Sequence, residues 1–236
     1  MNDHLIIIPT YNEAENIVNL LEAIFSLPQD FAVLVVDDQS PDGTAALVTR
    51  LQKKYPTLLF LENRKQKEGL GRAYLHGFQW ALERSYEYIF QMDADFSHHP
   101  NSLDNFCKAF IQGADVIIGS RYSNGVTVVN WPLNRILLSY AASKYVQLIT
   151  GIPVKDPTAG YVGYRRQVLE TLDLHRIGYV GYAFQIEMKY KAWKKGFRLV
   201  EIPIIFRNRI HGQSKMSGAI IWEALFGVLF LPFKKV

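Results

Sequence analysis

Short apolar runs alternate along this chain with segments of helical periodicity, and this alternation constrains the fold more than any other feature of the sequence. Leu5–Ile8 is a run without a polar residue, too short for a helix and suited to a strand covered on both faces. Ile17, Val18, Leu20, Leu21, Ile24 and Phe25 follow at helical spacing, with Asn12 and Glu15 placed as a capped helix start. Val33–Val36, Leu58–Leu61, Tyr88–Met92 and Val116–Gly119 read as further strands, and Ala45–Leu51, Gly71–Glu83 and Leu103–Ile111 as the helices between them. Such alternation specifies an α/β fold with a mostly parallel sheet and helices on both faces.

After about residue 125 the pattern changes. Asn134–Thr150 reads as a long helix with Ile136, Leu137, Tyr140, Ala141 and Leu148 as its apolar face. Tyr161–Tyr164 and Leu199–Phe206 read as strands, and Ala183–Lys195 as a helix whose basic end suits the negative pole of its dipole. No repeat, low-complexity tract or linker divides the chain, so residues 1–236 are expected to form one domain.

Ligands of open α/β sheets bind beyond the carboxyl ends of the strands. Three segments rich in carboxylate or glycine fall there: Pro9–Glu13, Asp37–Gly43 and Asp93–Ser97. Asp93-Ala94-Asp95 is the sharpest of them. In an extended segment residues i and i+2 share a face, and two carboxylates so placed suit a hard divalent cation, Mg²⁺ or Mn²⁺, together with its phosphate ligands. Asp37 and Asp38 precede Ser-Pro-Asp-Gly, which is strong turn chemistry, with Thr44 expected as a helix N-cap. Two adjacent acids at a strand end do not favour folding, so a role toward a base or a ribose is expected.

Other signals exclude alternatives. Gly69-Leu70-Gly71 lacks the third glycine of a dinucleotide fingerprint, since position 74 is tyrosine, although a glycine turn near a diphosphate remains open. His98 and His99 are adjacent and have no cysteine pair beside them, so a structural or supporting role is expected rather than zinc ligation. The single cysteine, Cys107, sits in an apolar helical stretch as a small core residue. The net charge of +4 is compatible with anionic partners and too small to call for nucleic acid. No run reaches the roughly 20 apolar residues of a membrane span, and no signal peptide is expected.

Taken together, the motifs resemble the dolichyl-phosphate (polyprenyl-phosphate) mannosyltransferases of the inverting glycosyltransferase family 2, whose fold is termed GT-A. The matching segments are Ile8-Pro9-Thr10-Tyr11-Asn12-Glu13, Val36 through Thr44, Gly69-Leu70-Gly71 with Ala73-Tyr74, Met92 through Pro100, Gly119-Ser120-Arg121-Tyr122, Phe184 through Met188, and Arg209 through Lys215. Gln39 stands where many members have Gly or Asn, and Ser97 where some have Gln. Asp156-Pro157-Thr158-Ala159-Gly160-Tyr161 is a variant of a family stretch.

The resemblance implies a nucleoside pocket at Pro9, Tyr11, Glu13, Val36, Asp37 and Asp38. It implies a metal and diphosphate site at Asp93 and Asp95 beside the Ala94 backbone, and an acceptor-phosphate pair in Arg121 and Arg135. Arg209 and Lys215 would lie on a loop closing over the donor diphosphate, and with Asp95 they are the catalytic candidates. Residues 1–120 would then form the nucleotide-sugar half, 121–218 the acceptor half, and 219–236 an apolar C-terminal segment lying at a membrane interface. The implied reaction is inverting mannosyl transfer from GDP-mannose to a dolichyl or polyprenyl phosphate. UDP-glucose or UDP-N-acetylhexosamine donors, or a non-catalytic binding subunit, are the alternatives. The chain resembles the short form without a C-terminal transmembrane region. It is expected in the cytoplasm, peripheral at the inner face of a membrane, with a small membrane subunit or a second copy left open as partner.

Overall fold

The computed structural model describes residues 3–208 and 225–234, and Tyr182 by its backbone only. Its core is a seven-stranded sheet in the order β3-β2-β1-β4-β7-β5-β8. The strands are β1 (His4–Thr10), β2 (Ala32–Asp37), β3 (Leu59–Asn63), β4 (Tyr88–Gln91), β5 (Val116–Ser120), β7 (Val162–Arg165) and β8 (Leu199–Pro203). A two-stranded ladder joins β6 (Val128–Val129) to β9 (Phe206–Arg207). All pairings in the large sheet are parallel except those of β7, which runs antiparallel to both β4 and β5.

Leu5–Ile8 is fully buried because helices cover both faces of the sheet. Leu5 and Ile7 join α3 (Leu70–Leu82), α6 (Arg166–Thr171) and α7 (Tyr182–Lys194) in one apolar layer. Ile6 and Ile8 join α1 (Ile17–Phe25), α2 (Thr44–Gln52) and α4 (Leu103–Ile111) in the other. Gly77 lets α3 press onto β1, since a Cβ there would fall 2.6 Å from Ile7 Cγ2. Cys107 packs in the second layer, where burial pushes its thiol up to about 11, as befits a core residue.

Several local expectations change. Helix α1 begins at Ile17 rather than near Asn12, whose backbone is left-handed (φ 56), and Glu13 O accepts the first turn's N–H groups from Asn16 and Ile17. Gly43, not Thr44, is the N-cap of α2, while Asp42 Oδ1 accepts from both the N–H and the hydroxyl of Thr44. Gln39 is also left-handed (φ 57), a conformation that Gly or Asn adopts with less strain.

The largest correction concerns α5 (Leu133–Thr150). Its expected apolar face is turned outward: Leu137 is 59% exposed and Leu148 84%. Ser143, Val146 and Thr150 face inward instead, with hydroxyls that find partners in Thr158 and the Val146 carbonyl. Residues 225–230 are helical and bury Val228 against the core, leaving Phe226 and Phe230 exposed. Among the described residues no helix is long and apolar enough to cross a membrane.

Candidate active site

The chain runs from β1 outward to β3 and returns on the other side of β1 as β4, so the sheet has a switch point between β1 and β4. A crevice opens at the carboxyl ends of strands at such a point. The three segments singled out in the sequence follow β1, β2 and β4, which are adjacent, and therefore line this crevice together.

The corner after β1 and β2 is held by acids. Asp37 is 1% exposed; its Oδ1 accepts from the Thr10 and Ser40 hydroxyls at 2.7 and 2.6 Å, and its Oδ2 from the Ser40 N–H at 2.8 Å. These bonds tie β1 to the turn after β2. Asp38 accepts from Arg64 Nη1 at 2.9 Å, and Arg64 also pairs with Glu68. Burial pushes the Asp38 carboxyl above its ordinary range, and the Arg64 charge only partly offsets this. Tyr11 lies with Lys67 Nζ 3.8 Å above its ring. Glu13 accepts from the Asn16 amide at 3.0 Å. Val36 is fully buried in the apolar layer within the ladder between β1 and β3, and Pro9 is half-buried.

In the corner after β4 the strand ends at Gln91, and Ala94 and Asp95 are already in a turn. The extended alternation expected for Asp93 and Asp95 therefore does not relate them. Both carboxylates nonetheless act on Tyr74 and on His98, which places them around one spot. The Asp93 side chain is 38% exposed, and Tyr74 Oη donates to its Oδ1 at 3.4 Å. Asp95 is buried and accepts the Ser97 N–H at 3.0 Å; Ala94 is buried between them. His98 Nδ1 accepts the Asp93 N–H at 3.2 Å, which puts the ring proton on Nε2. The ring stacks on Tyr161, and burial lowers its pKa, so the neutral form is favoured. His98 thus orients the Asp93 backbone, the supporting role expected for it, while His99 caps the short turn that follows.

A third corner follows β5. Arg121 makes a two-pronged pair with Asp156, from Nε at 2.7 Å and Nη2 at 2.6 Å, and Nη2 also donates to Thr158. Arg135 stacks 3.9 Å from the Trp131 ring and donates to Asn208. The Arg121 guanidinium lies 5.9 Å from the same Trp131 ring, so the two arginines converge on one indole. Phe206 touches Trp131, Arg121 and His98, linking this corner to that of Asp93.

Arg209 and Lys215 lie outside the described residues, as does the start of the apolar C-terminal segment. Sequence reasoning assigned no role to Arg64, Tyr74, Trp131 or Asp156. A position directly after β3 marks Arg64 in retrospect, and Tyr74 and Asp156 already stood in motif segments.

Comparison with known proteins identifies the family and the fold. The glycosyl transferase family 2 profile matches residues 5–173. A polyprenol monophosphomannose synthase of Mycolicibacterium smegmatis is 47% identical over 95% of this chain and 84% of that protein. An undecaprenyl-phosphate mannosyltransferase of Micrococcus luteus is 43% identical over 95% of this chain and 91% of its own length. A dolichol-phosphate mannosyltransferase of Pyrococcus furiosus is 36% identical over 93% of this chain, which spans 61% of that longer protein. Among solved structures, glucosyl-3-phosphoglycerate synthase of Mycobacterium tuberculosis, in complex with Mn²⁺, UDP and glucosyl-3-phosphoglycerate, superimposes with a TM-score of 0.71 at 16% identity. The match covers 97% of this chain and 79% of that one. A mannosyltransferase of Pyrobaculum calidifontis, in complex with GDP-Man and Mn²⁺, gives 0.61 at 18% identity, covering 97% and 69%. The fold is the GT-A fold of glycosyltransferases. The chain belongs to glycosyl transferase family 2.

Proposed function

We propose that this glycosyltransferase moves mannose from GDP-mannose to a polyprenyl or dolichyl phosphate with inversion at the anomeric carbon. The observation that carries the reading is the convergence of Arg121 and Arg135 on Trp131, which Phe206 links to His98 in the Asp93 corner. Paired guanidinium forks suit a phosphate acceptor better than a sugar hydroxyl. The names of the three curated relatives support the same sugar and acceptor.

The donor's nucleoside would rest against Pro9, Tyr11, Glu13 and Asp38, with buried Val36 supporting the pocket floor. Asp93 and Asp95 offer hard oxygen donors in the half-open crevice, and among the described residues no third carboxylate or histidine joins them. That set fits Mg²⁺ or Mn²⁺, which take one or two carboxylates and complete their shell with phosphate oxygens and water. Bound there, the cation would neutralise charge on the departing diphosphate, the task the family resemblance also gives to Arg209 and Lys215. A phosphate monoester has a second pKa of about 6, so the acceptor arrives ionised and needs no strong general base. The role left to the protein is to orient it, through Arg121 and Arg135, for attack on the anomeric carbon.

A polyprenyl tail stays in the bilayer, so the enzyme works at a membrane surface. The outward side chains of Leu133, Leu137, Leu138 and Leu148 on α5, with Phe226, Phe230 and Phe233, support such contact.

The test is transfer of radiolabel from GDP-mannose, UDP-glucose and UDP-N-acetylglucosamine to a polyprenyl phosphate, read in the organic phase. GDP-mannose is expected to lead. Asp95→Asn is expected to lower turnover about 1000-fold while the thermal transition is retained. No labelled lipid from any donor, or full Asp95→Asn activity in excess chelator, overturns the proposal.

A further inference from the structure

Phe184-Gln185-Ile186-Glu187-Met188 lies near the start of α7. Glu187 is fully buried; its Oε2 accepts the N–H groups of Gly178 and Tyr179 at 3.0 and 3.2 Å, and its Oε1 lies 3.0 Å from Lys191 Nζ. The fold accounts for that carboxylate, which fastens the 178–181 loop to the helix. It does not account for Gln185. This side chain is 2% exposed, yet among the described residues neither its amide oxygen nor its amide nitrogen has a hydrogen-bond partner. A buried primary amide with both ends unmatched is an exception in native proteins and calls for a specific cause.

The surroundings supply one. A methyl group on the Gly160 Cα would sit 4.0 Å from Gln185 Nε2, 3.9 Å from Asp93 Oδ2 and 3.7 Å from His98 Cε1. The amide, the carboxylate and its orienting histidine thus surround one small space that a side chain at 160 would fill. Gly160 and the Asp93 side chain are both part-exposed, so the space faces the crevice. The Gly160 backbone is not left-handed, so conformation does not demand glycine there.

We propose that the Gln185 amide binds a hydroxyl of the sugar being transferred and so determines which hexose is accepted. The inference rests on the reading of Asp93 and Asp95 as the donor-diphosphate corner, because the transferred sugar hangs from that diphosphate. A primary amide both donates and accepts, which matches a hydroxyl or a vicinal pair of hydroxyls. Among the described residues nothing holds either end of the amide, so turning it toward Gly160 breaks no hydrogen bond there. Sites that hydrogen-bond a substrate hydroxyl discriminate strongly against analogues that misplace it.

The experiment uses the full chain with Gln185→Leu, which keeps the volume and removes the amide, and Gly160→Ala, which fills the space and leaves Gln185 in place. GDP affinity with Mn²⁺ is measured by calorimetry, kcat/KM with GDP-mannose and GDP-glucose, and Tm by scanning. Gln185→Leu is expected to keep or raise Tm, since it removes an unmatched amide, and to hold GDP affinity within about twofold. It should lower kcat/KM for GDP-mannose about 100-fold and shrink the preference over GDP-glucose at least about tenfold. Gly160→Ala should shrink the same preference at unchanged GDP affinity. A fall in Tm with the preference intact in both variants makes Gln185 structural and overturns the proposal. Collapse of GDP affinity with an intact preference assigns the amide to the diphosphate, which also overturns it. Wild-type protein that uses no GDP-hexose overturns the functional reading itself, and this assignment with it.

Discussion

Two buried arginine–aspartate pairs flank the crevice, and they are balanced in opposite directions. Arg64–Asp38 stands at the ends of β2 and β3, and Arg121–Asp156 beyond β5. Burial opposes ionisation of both carboxylates. At Asp38 it prevails: among the described residues Arg64 supplies the one side-chain donor, neighbouring Asp37 repels, and the pKa is raised. At Asp156 it is overcome by the Arg121 charge, by donors from the Arg121 backbone, Nε and Nη2, and by the Thr158 hydroxyl, and the pKa is lowered. A carboxylate saturated with internal donors belongs to the fold. One left short of donors retains capacity for those of a ligand, such as ribose hydroxyls or a base N–H. The first holds an arginine in place; the second is the one that the proposed function assigns to the nucleoside.

The saturated corner gives the largest expected effect. Asp156→Ala leaves Arg121 buried without its counter-ion, which is expected to cost about 3–5 kcal/mol in urea unfolding. A loss below about 1 kcal/mol would show that Arg121 has another adequate partner, and the contrast between the two corners would fail.

Lys189 sharpens the same side of the comparison. It is fully buried beneath the Asp156 loop, and its Nζ donates to Ala159 O at 2.7 Å. Burial pulls its pKa from 10.5 to about 7, partly opposed by Asp156. Below pH 7 it is charged in both folded and unfolded chains, so the burial penalty is fully present. Between pH 7 and about 10.5 the unfolded chain binds a proton that the folded chain does not, so this group's contribution to stability rises with pH. Lys189→Met abolishes that slope. The stability of Lys189→Met relative to wild type should therefore fall by on the order of 2 kcal/mol between pH 7 and 9, whatever the lost Ala159 bond costs. A difference that is flat with pH would mean the lysine stays charged in the folded protein.

The two sides also differ in how far the sequence made them legible. Around Asp38, four-residue apolar runs mark strands covered on both faces, and the acids follow directly on those strands, so local order is enough to find them. Around Asp156 the decisive partners are far apart in sequence. The Arg121–Asp156 pair spans 35 residues, and only tertiary packing brings it together. The antiparallel insertion of β7 between β4 and β5 leaves no trace in a period-two pattern. Helical spacing showed which residues of α5 share a face but not which face meets the protein, and the inward one carries Ser143 and Thr150. The corners proposed for metal and nucleotide were thus legible, whereas the scaffold under Arg121 and the unmatched Gln185 amide were not.

The smallest expected effect tests the other side of the comparison. Because the folded Asp38 pKa is raised, the folded chain favours the neutral carboxyl between the ordinary aspartate value and the raised one. Stability is lost as pH rises through that window, and at pH 7 the cost of holding the charge in the protein is fully present. Asp38→Asn is a neutral isostere that keeps an acceptor for Arg64 Nη1, and Arg64 retains Glu68 as its counter-ion. The variant should therefore melt at the same temperature as wild type or a few degrees higher at pH 7. That gain should shrink as the pH falls through the raised Asp38 value toward the ordinary aspartate range, because protonation removes the charge from the wild-type side chain. If the unsaturated carboxylate is reserved for the nucleoside, GDP affinity should move the other way, falling about tenfold at pH 7, since a charged acceptor is worth about twice a neutral one. Scanning calorimetry across that pH range and titration with GDP read the two effects separately. A variant that melts lower at pH 7 and binds GDP normally would make Asp38 a second structural anchor like Asp156, and the contrast between the corners would disappear.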